Sequence, residues 1–405
     1  MFAGSRIEKK NISGLDTLLV NKKGFLENYI LLSVGFGGVD SHSHHEWNRK
    51  IPYGTAHFLE HLIIQNSEFD AIHEFGEIGA SLNASTNFES TSFAVSCTEQ
   101  LELNIKMILK LVQSISITNE SVEKEKKIIK QEILQIHSNR RTSCYTNLLS
   151  DLYGEESGLA QPIIGNLESV ESMDACMLEM CFHKFYAMEN MKIIIIGDLN
   201  PEEAHAVIKL ELENSALKDK ERYVPFIPVK RESMKIEAIN SNQSVLSWGN
   251  ATSNGRNAGN PDRDIRKEFS IRIGLEILFG RTSEFQQKIH DHGFVDGGID
   301  VKYEISDRYC FSSLSTITTK PSELMEEIHT TKKEVRKKSI SDVEFFISKR
   351  RIIGGIIDVY DHPAKLANSI LDYSSRGLDF SDVLDVINTI TKKEVIDALH
   401  SHILN

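Results

Sequence analysis

The feature that most constrains the fold is an internal repeat. Residues 57–69 read HFLEHLIIQNSEF and residues 273–285 read IGLEILFGRTSEF. The segments agree without gaps at two leucines, one glutamate and the closing Ser-Glu-Phe, and both continue into Ile-His and then a glycine. Chance similarity between two amphipathic helices is the alternative, but a duplication explains the shared continuation better. We therefore predict two similar domains at 1–213 and 235–405, joined by a charged, proline-containing linker at 214–234.

The order of the secondary-structure signals favours an α+β fold. The run MKIIIIG at 191–197 is apolar almost throughout and predicts a buried strand. Residues 81–97 are rich in Ser, Thr and Phe with loose alternation, which predicts a strand pair. Helical patterns surround these segments without a strict βαβ order, so a doubly wound parallel sheet is the less favoured architecture.

Charge and cysteine content argue against several classes of protein. The 405-residue chain has a formal net charge of −12, which argues against nucleic acid or an anionic membrane as its main partner. Its five cysteines form no CxxC pair, which is typical of reduced thiols and predicts a cytoplasmic location. The N-terminal segment MFAGSRIEKKN lacks the apolar core of a signal peptide.

The first copy of the repeat carries two histidines and a glutamate within about one helical turn. On a helix, His57 and His61 lie one turn apart on the same face and can direct both imidazoles at one ion. Imidazole is a common zinc ligand, and Glu60 is placed to act as a base on a metal-bound water. A partly buried core helix is an equally good reading of this motif alone. A third ligand is needed to decide.

The segment VEKEKKIIKQEI offers that third ligand. Glu125 and Glu132 lie seven residues apart, which is two helical turns, and share one helix face. A solvated charged helix is the alternative. The second copy of the repeat has Ile273 and Ile277 in place of the histidines. It also has Phe346 and Ile353 in place of the two acids. Loss of all four groups together indicates that they act together in the first copy.

Four segments together resemble the pitrilysin, insulysin and mitochondrial processing peptidase superfamily of inverzincins. They are GTAHFLEHL, GASLNASTNFESTSF, VEKEKKIIKQEI and NMKIIIIGDLNPEE. The resemblance covers nearly the whole chain and is strongest to the short bacterial branch. It implies a zinc endopeptidase in which His57, His61 and Glu132 bind Zn²⁺. It further implies that Glu60 is the general base on zinc-bound water and that Glu125 supports the ligands.

The resemblance also implies an architecture and a partner. Each domain would be a mostly antiparallel sheet covered by helices, and the two similar domains would form one half of a clam-like peptidase chamber. A second two-domain subunit would supply the other half, as a homodimer or as a heterodimer with a related, inactive paralogue. An edge strand with Asn83 and Ala84 would hold the extended peptide substrate by strand addition. By analogy with the short branch, precursor or leader peptides are the expected substrates.

One departure from the family pattern concerns the carbonyl side of the site. Many relatives carry an Arg and a Tyr in the second domain that contact the scissile carbonyl, whereas this chain has Ile289 and Asp296 at those positions. Either the partner supplies these contacts or other residues do. The alternative function is a non-catalytic, peptide-binding scaffold subunit of a processing complex. The intact set of four first-domain residues favours the enzyme over the scaffold.

Overall fold

A computed structural model describes residues 7–41, 50–65, 70–113, 115–213, 227, 229, 232–252, 260–295, 297–337 and 340–403. The strands are β1 (Ile7–Ile12), β2 (Leu15–Asn21), β3 (Asn28–Val34), β4 (Ser81–Thr86), β5 (Thr91–Cys97), β6 (Met191–Gly197), β7 (Glu232–Ala238), β8 (Ser244–Ala251), β9 (Asp300–Ile305) and β10 (Cys310–Thr318). The first eight α-helices are α1 (Thr55–Ile64), α2 (Ala71–Glu77), α3 (Leu101–Gln113), α4 (Asn119–His137), α5 (Arg140–Tyr153), α6 (Leu167–Glu171), α7 (Ala175–Phe185) and α8 (Pro201–Leu212). The others are α9 (Pro261–Phe279), α10 (Glu284–Asp291), α11 (Pro321–Lys337), α12 (Asp342–Asp361), α13 (Pro363–Ser375), α14 (Val383–Thr389) and α15 (Lys392–His402).

Contacts divide the chain into two compact units. The first contains Met1–Gln135, Gln161–Tyr223 and Val359–Ser375, and the second contains Ile136–Ala160, Val224–Asp358 and Arg376–Asn405. Each unit therefore includes a helix from the opposite half of the sequence, α13 in the first and α5 in the second. The domain ranges predicted from the repeat are each continuous in the sequence and include no such exchange. Most of the predicted linker, 214–234, lies outside the described residues, and β7 already begins at Glu232.

The first unit is built on a six-stranded sheet with the order β1-β2-β6-β3-β5-β4. The pairing of β2 with β6 is parallel, and the other four pairings are antiparallel. Strand β6 lies between β2 and β3, and its four consecutive isoleucines have no exposed surface, which confirms the buried strand expected from its apolar run. Strand β4 pairs only with β5 and forms one edge of the sheet.

Helices cover this sheet and bring α1 to its edge. Helix α13 packs against β3 and β6, and α3 packs against β3 and β5. Helix α1 contacts β4 and β5. Its apolar residues Phe58, Leu59 and Ile63 are at most 1% exposed. Their burial fixes which face of α1 points inward and hence where its polar residues lie.

The second unit repeats the plan on a smaller, fully antiparallel sheet. Its strand order is β7-β8-β10-β9, and α5 packs against β7 and β8. The sequence α1, α2, β4, β5, α3, α4 of the first unit recurs here as α9, α10, β9, β10, α11, α12. The structure thus confirms an α+β fold of two similar, mostly antiparallel domains. None of the described helices is both long and apolar enough to cross a membrane.

Candidate metal centre

Two glycines set the start of the helix that carries the histidines. Gly54 precedes α1 with φ of 88°, a left-handed conformation that favours glycine. A Cβ at Gly54 would lie 2.3 Å from the carbonyl oxygen of Ile164, and a Cβ at Gly165 would lie 2.4 Å from that of Tyr53. The two chain segments therefore pass so closely that both positions exclude a side chain. This contact fixes where α1 begins.

The structure brings the three predicted ligands together. The rings of His57 and His61 lie one turn apart on α1, with centroids 4.5 Å apart. Glu132 of α4 faces both rings, with one carboxylate oxygen 4.0 Å from His57 Nε2 and the other 3.7 Å from His61 Nε2. One ligand atom from each of the three residues lies within 4.8 Å of the other two. The three residues that the sequence spacing selected, His57, His61 and Glu132, therefore form one cluster in space.

The donor set and its dimensions suit a zinc ion. Ligand atoms about 2.1 Å from a tetrahedral zinc are about 3.4 Å from each other. One ligand atom from each residue already lies within 4.8 Å of the other two, so the side chains need to close by at most about 1.4 Å, which rotamer adjustment provides. With His57, His61 and Glu132 as its protein ligands, a zinc ion would keep a fourth position open, as catalytic rather than structural zinc sites do.

Glu125 orients one of the ligands. Its carboxylate is 2% exposed and lies 2.7 Å from His61 Nδ1. We assign the proton to Nδ1, because it then donates to the carboxylate and leaves the Nε2 lone pair directed towards Glu132. Burial alone would lower the pKa of His61, but the hydrogen bond and charge of Glu125, with Glu132 and Glu60, raise it overall. Glu125 thus fixes both the tautomer and the ring orientation.

His57 is held in the neutral form that binds metals. Its side chain is 14% exposed. Burial, together with the neighbouring His61, lowers the pKa of His57 to about 3. Its Nδ1 is buried and has no hydrogen-bond partner among the described residues. Burying an imidazole whose Nδ1 lacks a partner is costly for the fold, and the binding free energy of a cation held at Nε2 would offset this cost.

Glu60 lies beside the ligands and is buried. Burial raises its pKa, and a hydrogen bond from Thr86 partly opposes that rise. Thr86 Oγ1 donates to Glu60 Oε2 at 2.5 Å. Tyr186 is fully buried, and its pKa is raised by burial and by the charge of Glu60. Sequence reasoning missed both Thr86 and Tyr186. Thr86 could have been noticed as the residue on the same strand face as Ala84.

The residues predicted to bind substrate lie on the expected edge strand. Asn83 is exposed and Ala84 is half-buried on β4, whose outer side has no strand partner among the described residues. Their role in substrate binding stays a prediction. Of the two residues at the positions of the family Arg and Tyr, Ile289 is fully buried in α10, and Asp296 lies outside the described residues.

The second unit shows the same helix without metal ligands. Ile273 has no exposed surface, and Glu276 pairs with Arg351 at 2.8 Å. Phe346, aligned with Glu125 in the sequence, is 52% exposed and does not copy the burial of that acid. Helices α9 and α12 of the second unit therefore have apolar residues and an ion pair where α1 and α4 of the first unit have the predicted metal ligands.

An HxxEH helix that meets two glutamates of a second helix is the arrangement of the inverzincin metallopeptidases. Residues 39–166 match insulinase (peptidase family M16), and residues 173–351 match the peptidase M16 inactive domain. The chain belongs to the M16 family of peptidases.

Individual relatives agree with this assignment. The uncharacterized zinc protease YmfH of Bacillus subtilis is 27% identical over 98% of this chain and 93% of its own length. The beta subunit of the mitochondrial-processing peptidase of Caenorhabditis elegans is 26% identical over 43% of this chain and 39% of its own. A solved M16-like peptidase from Alicyclobacillus acidocaldarius superimposes with a TM-score of 0.87 and 27% identity, covering 98% of this chain and 95% of that one. A protease from Helicobacter pylori shares the fold, with a TM-score of 0.85 at 14% identity and coverage of 98% and 97%.

Proposed function

We propose that this chain is a zinc metalloendopeptidase that cleaves peptides or precursor and leader segments. The observation that carries the proposal is the convergence of His57, His61 and Glu132 within 4.8 Å, with the buried carboxylate of Glu60 on the same helix. A relative named as a zinc protease, which matches 98% of the chain, supports the choice of metal. The second copy of the helix lacks the histidines, so the reaction belongs to the first unit.

Bound zinc lowers the pKa of water and polarises a carbonyl group. Glu60 takes the proton from the attacking water and returns it to the leaving amine. Burial raises the pKa of Glu60 and so improves the match between this carboxylate and the protons that it must accept and release. Glu125 keeps the His61 ring in place throughout the reaction. His57 remains neutral because its surroundings exclude the charged form.

The substrate would extend along β4. This strand exposes unpaired backbone groups at the sheet edge and is packed against α1. An extended peptide that adds to it gains main-chain hydrogen bonds without sequence-specific contacts, which suits an enzyme acting on unfolded segments. The name of the mitochondrial-processing peptidase, whose beta subunit is similar to 43% of this chain, supports peptide processing as the kind of reaction.

A second two-domain subunit would complete the enzyme. Ile289 is buried and apolar and cannot donate a hydrogen bond to a scissile carbonyl, so that group would be stabilised by other residues of the chain or by a partner, which would be a second copy or a related, inactive paralogue. Light scattering on the purified chain, alone and with a related paralogue, tests this proposal. A monomer that cleaves peptides unaided would contradict it. The cytoplasmic location stays a prediction.

The experiment that tests the function compares two glutamate variants. Glu60→Gln should keep stoichiometric zinc and lose peptide cleavage by at least about 100-fold, because only the proton-accepting carboxylate is removed. Glu276→Gln changes the repeat-equivalent glutamate of the second unit and should cleave at the wild-type rate. Full activity of Glu60→Gln would refute its role as base. Absence of both zinc and cleavage in the wild-type protein would favour the scaffold function.

A further inference from the structure

The edge strand β4 and the candidate base are joined by one hydrogen bond. Burial alternates along β4, so that Leu82, Ala84 and Thr86 are partly covered while the residues between them are exposed. Thr86 is the last residue of the strand, and its hydroxyl donates to Glu60 Oε2 at 2.5 Å. The bond connects α1 to β4 through two residues that are 26 positions apart in the sequence.

The position of the Thr86 hydroxyl is itself restrained. Thr86 pairs with Thr91 of β5 in the strand register, and their hydroxyl oxygens lie 3.3 Å apart. Thr91 has no exposed surface, and its hydroxyl donates to the carbonyl of Phe36 at 2.9 Å. The end of the hairpin is therefore pinned to a buried main-chain segment. Thr86 approaches Glu60 from a fixed point rather than from a mobile loop.

Glu60 depends on this contact for its orientation. A glutamate side chain has three rotatable bonds, and in the described part of the chain Thr86 is its hydrogen-bond donor. The bond holds Oε2 and leaves Oε1 as the oxygen able to meet a water beside the metal ligands. Without the donor, the buried carboxylate would turn towards other polar groups, because an unsatisfied buried charge is costly.

We propose that Thr86 is a positioning residue that fixes the carboxylate of Glu60 relative to the edge strand on which the peptide lies. This inference rests on the proposed function. A peptide paired to β4 takes its register from the strand backbone, and the base takes its position from the same strand through Thr86. The same strand therefore positions both the peptide and the Glu60 carboxylate. The carboxylate does not depend on the packing of α1 alone for its position relative to the peptide.

The test compares the full-length, zinc-loaded wild-type protein with Thr86→Val and Thr86→Ser. Valine keeps the shape and removes the donor, while serine keeps the donor. We expect Thr86→Val to lower kcat about 10- to 100-fold with little change in KM or zinc content, and Thr86→Ser to recover most of the loss. Thr17→Val is the matched control, because this buried threonine on β2 has a hydroxyl without a hydrogen-bond partner among the described residues. It should behave like the wild type.

Crystal structures of the same variants supply a readout that does not depend on activity. Glu60 should keep one position in Thr86→Ser and turn away or split between positions in Thr86→Val. Wild-type kcat in Thr86→Val, an unmoved Glu60, or equal losses in the valine and serine variants would each overturn the inference. If the wild-type protein cleaves no peptide, the proposed function fails. The position of Glu60 in the two crystal structures then decides the role of Thr86 alone.

Discussion

Replacing Glu125 by glutamine should weaken zinc binding without unfolding the chain. The amide has the size of the carboxylate and can still accept the proton of His61 Nδ1 across the observed 2.7 Å. It removes the charge, however, and hydrogen bonds to charged groups contribute about 1.5–3 kcal/mol against about 1 kcal/mol for neutral ones. The amide also introduces buried N–H groups at a position that is 2% exposed. Together these effects predict a zinc Kd about 10- to 100-fold higher, or about 1.4–2.7 kcal/mol.

Competition with a chromophoric chelator at neutral pH measures this change. Glu123→Gln is the control, because Glu123 lies on the same helix, is 63% exposed and pairs with Lys126, at 2.7 Å. The side chain of Lys126 is 9% exposed, but neither partner belongs to the cluster of His57, His61 and Glu132, so loss of this pair should leave zinc affinity nearly unchanged. Equal affinities of Glu125→Gln and the wild type would show that the buried carboxylate does not tune His61.

Two further predictions concern stability. Gly54→Ala should lower the Tm and weaken zinc binding, because the strained φ and the contact at 2.3 Å together cost about 2–4 kcal/mol. Gly76→Ala is the control, because a Cβ added at Gly76 has no atom within 4 Å. In a parallel thermal melt this variant should be neutral or slightly stabilising. Burial lowers the pKa of His402 from 6.5 to about 3. The contribution of His402 to stability is therefore complete above pH 6.5 and falls by about 2 kcal/mol at pH 5, so His402→Leu should show a smaller fall in Tm between pH 7 and 5. An unchanged pH dependence in that variant, or a tolerated Gly54→Ala, would contradict these assignments.

The metal ligands could be predicted because their relations are local. His57 and His61 lie within one turn of one helix, and Glu125 and Glu132 within two turns of another, so helical periodicity alone places each pair on a face. The internal repeat then linked the pairs, because both are lost together in the second copy. The structure adds the distances, and it assigns Glu125 to His61 rather than to the ligand cluster.

The contact between Thr86 and Glu60 could not be predicted in this way. It depends on the pairing register of β4 and on how α1 packs over the sheet edge, and neither follows from residue spacing. The alignment of Phe346 with Glu125 stays a prediction from the sequence, and it did not indicate that Phe346 would be exposed. The two copies share the order of their helices and strands, but the face that a helix buries can differ between them.

The helix exchange between the sequence halves affects how the protein can be synthesised. The strands of the first unit are complete once Gly197 has been translated, but α13, whose Leu366, Ala367 and Ile370 are buried, ends only at Ser375. During synthesis, the apolar surface of β3 and β6 therefore stays uncovered until α13, near the end of the chain, has left the ribosome. A gene fragment ending in the linker should yield an aggregation-prone product. Loss of α13 by truncation or frameshift should disable the candidate metal centre, whose residues lie about 230 to 310 positions upstream.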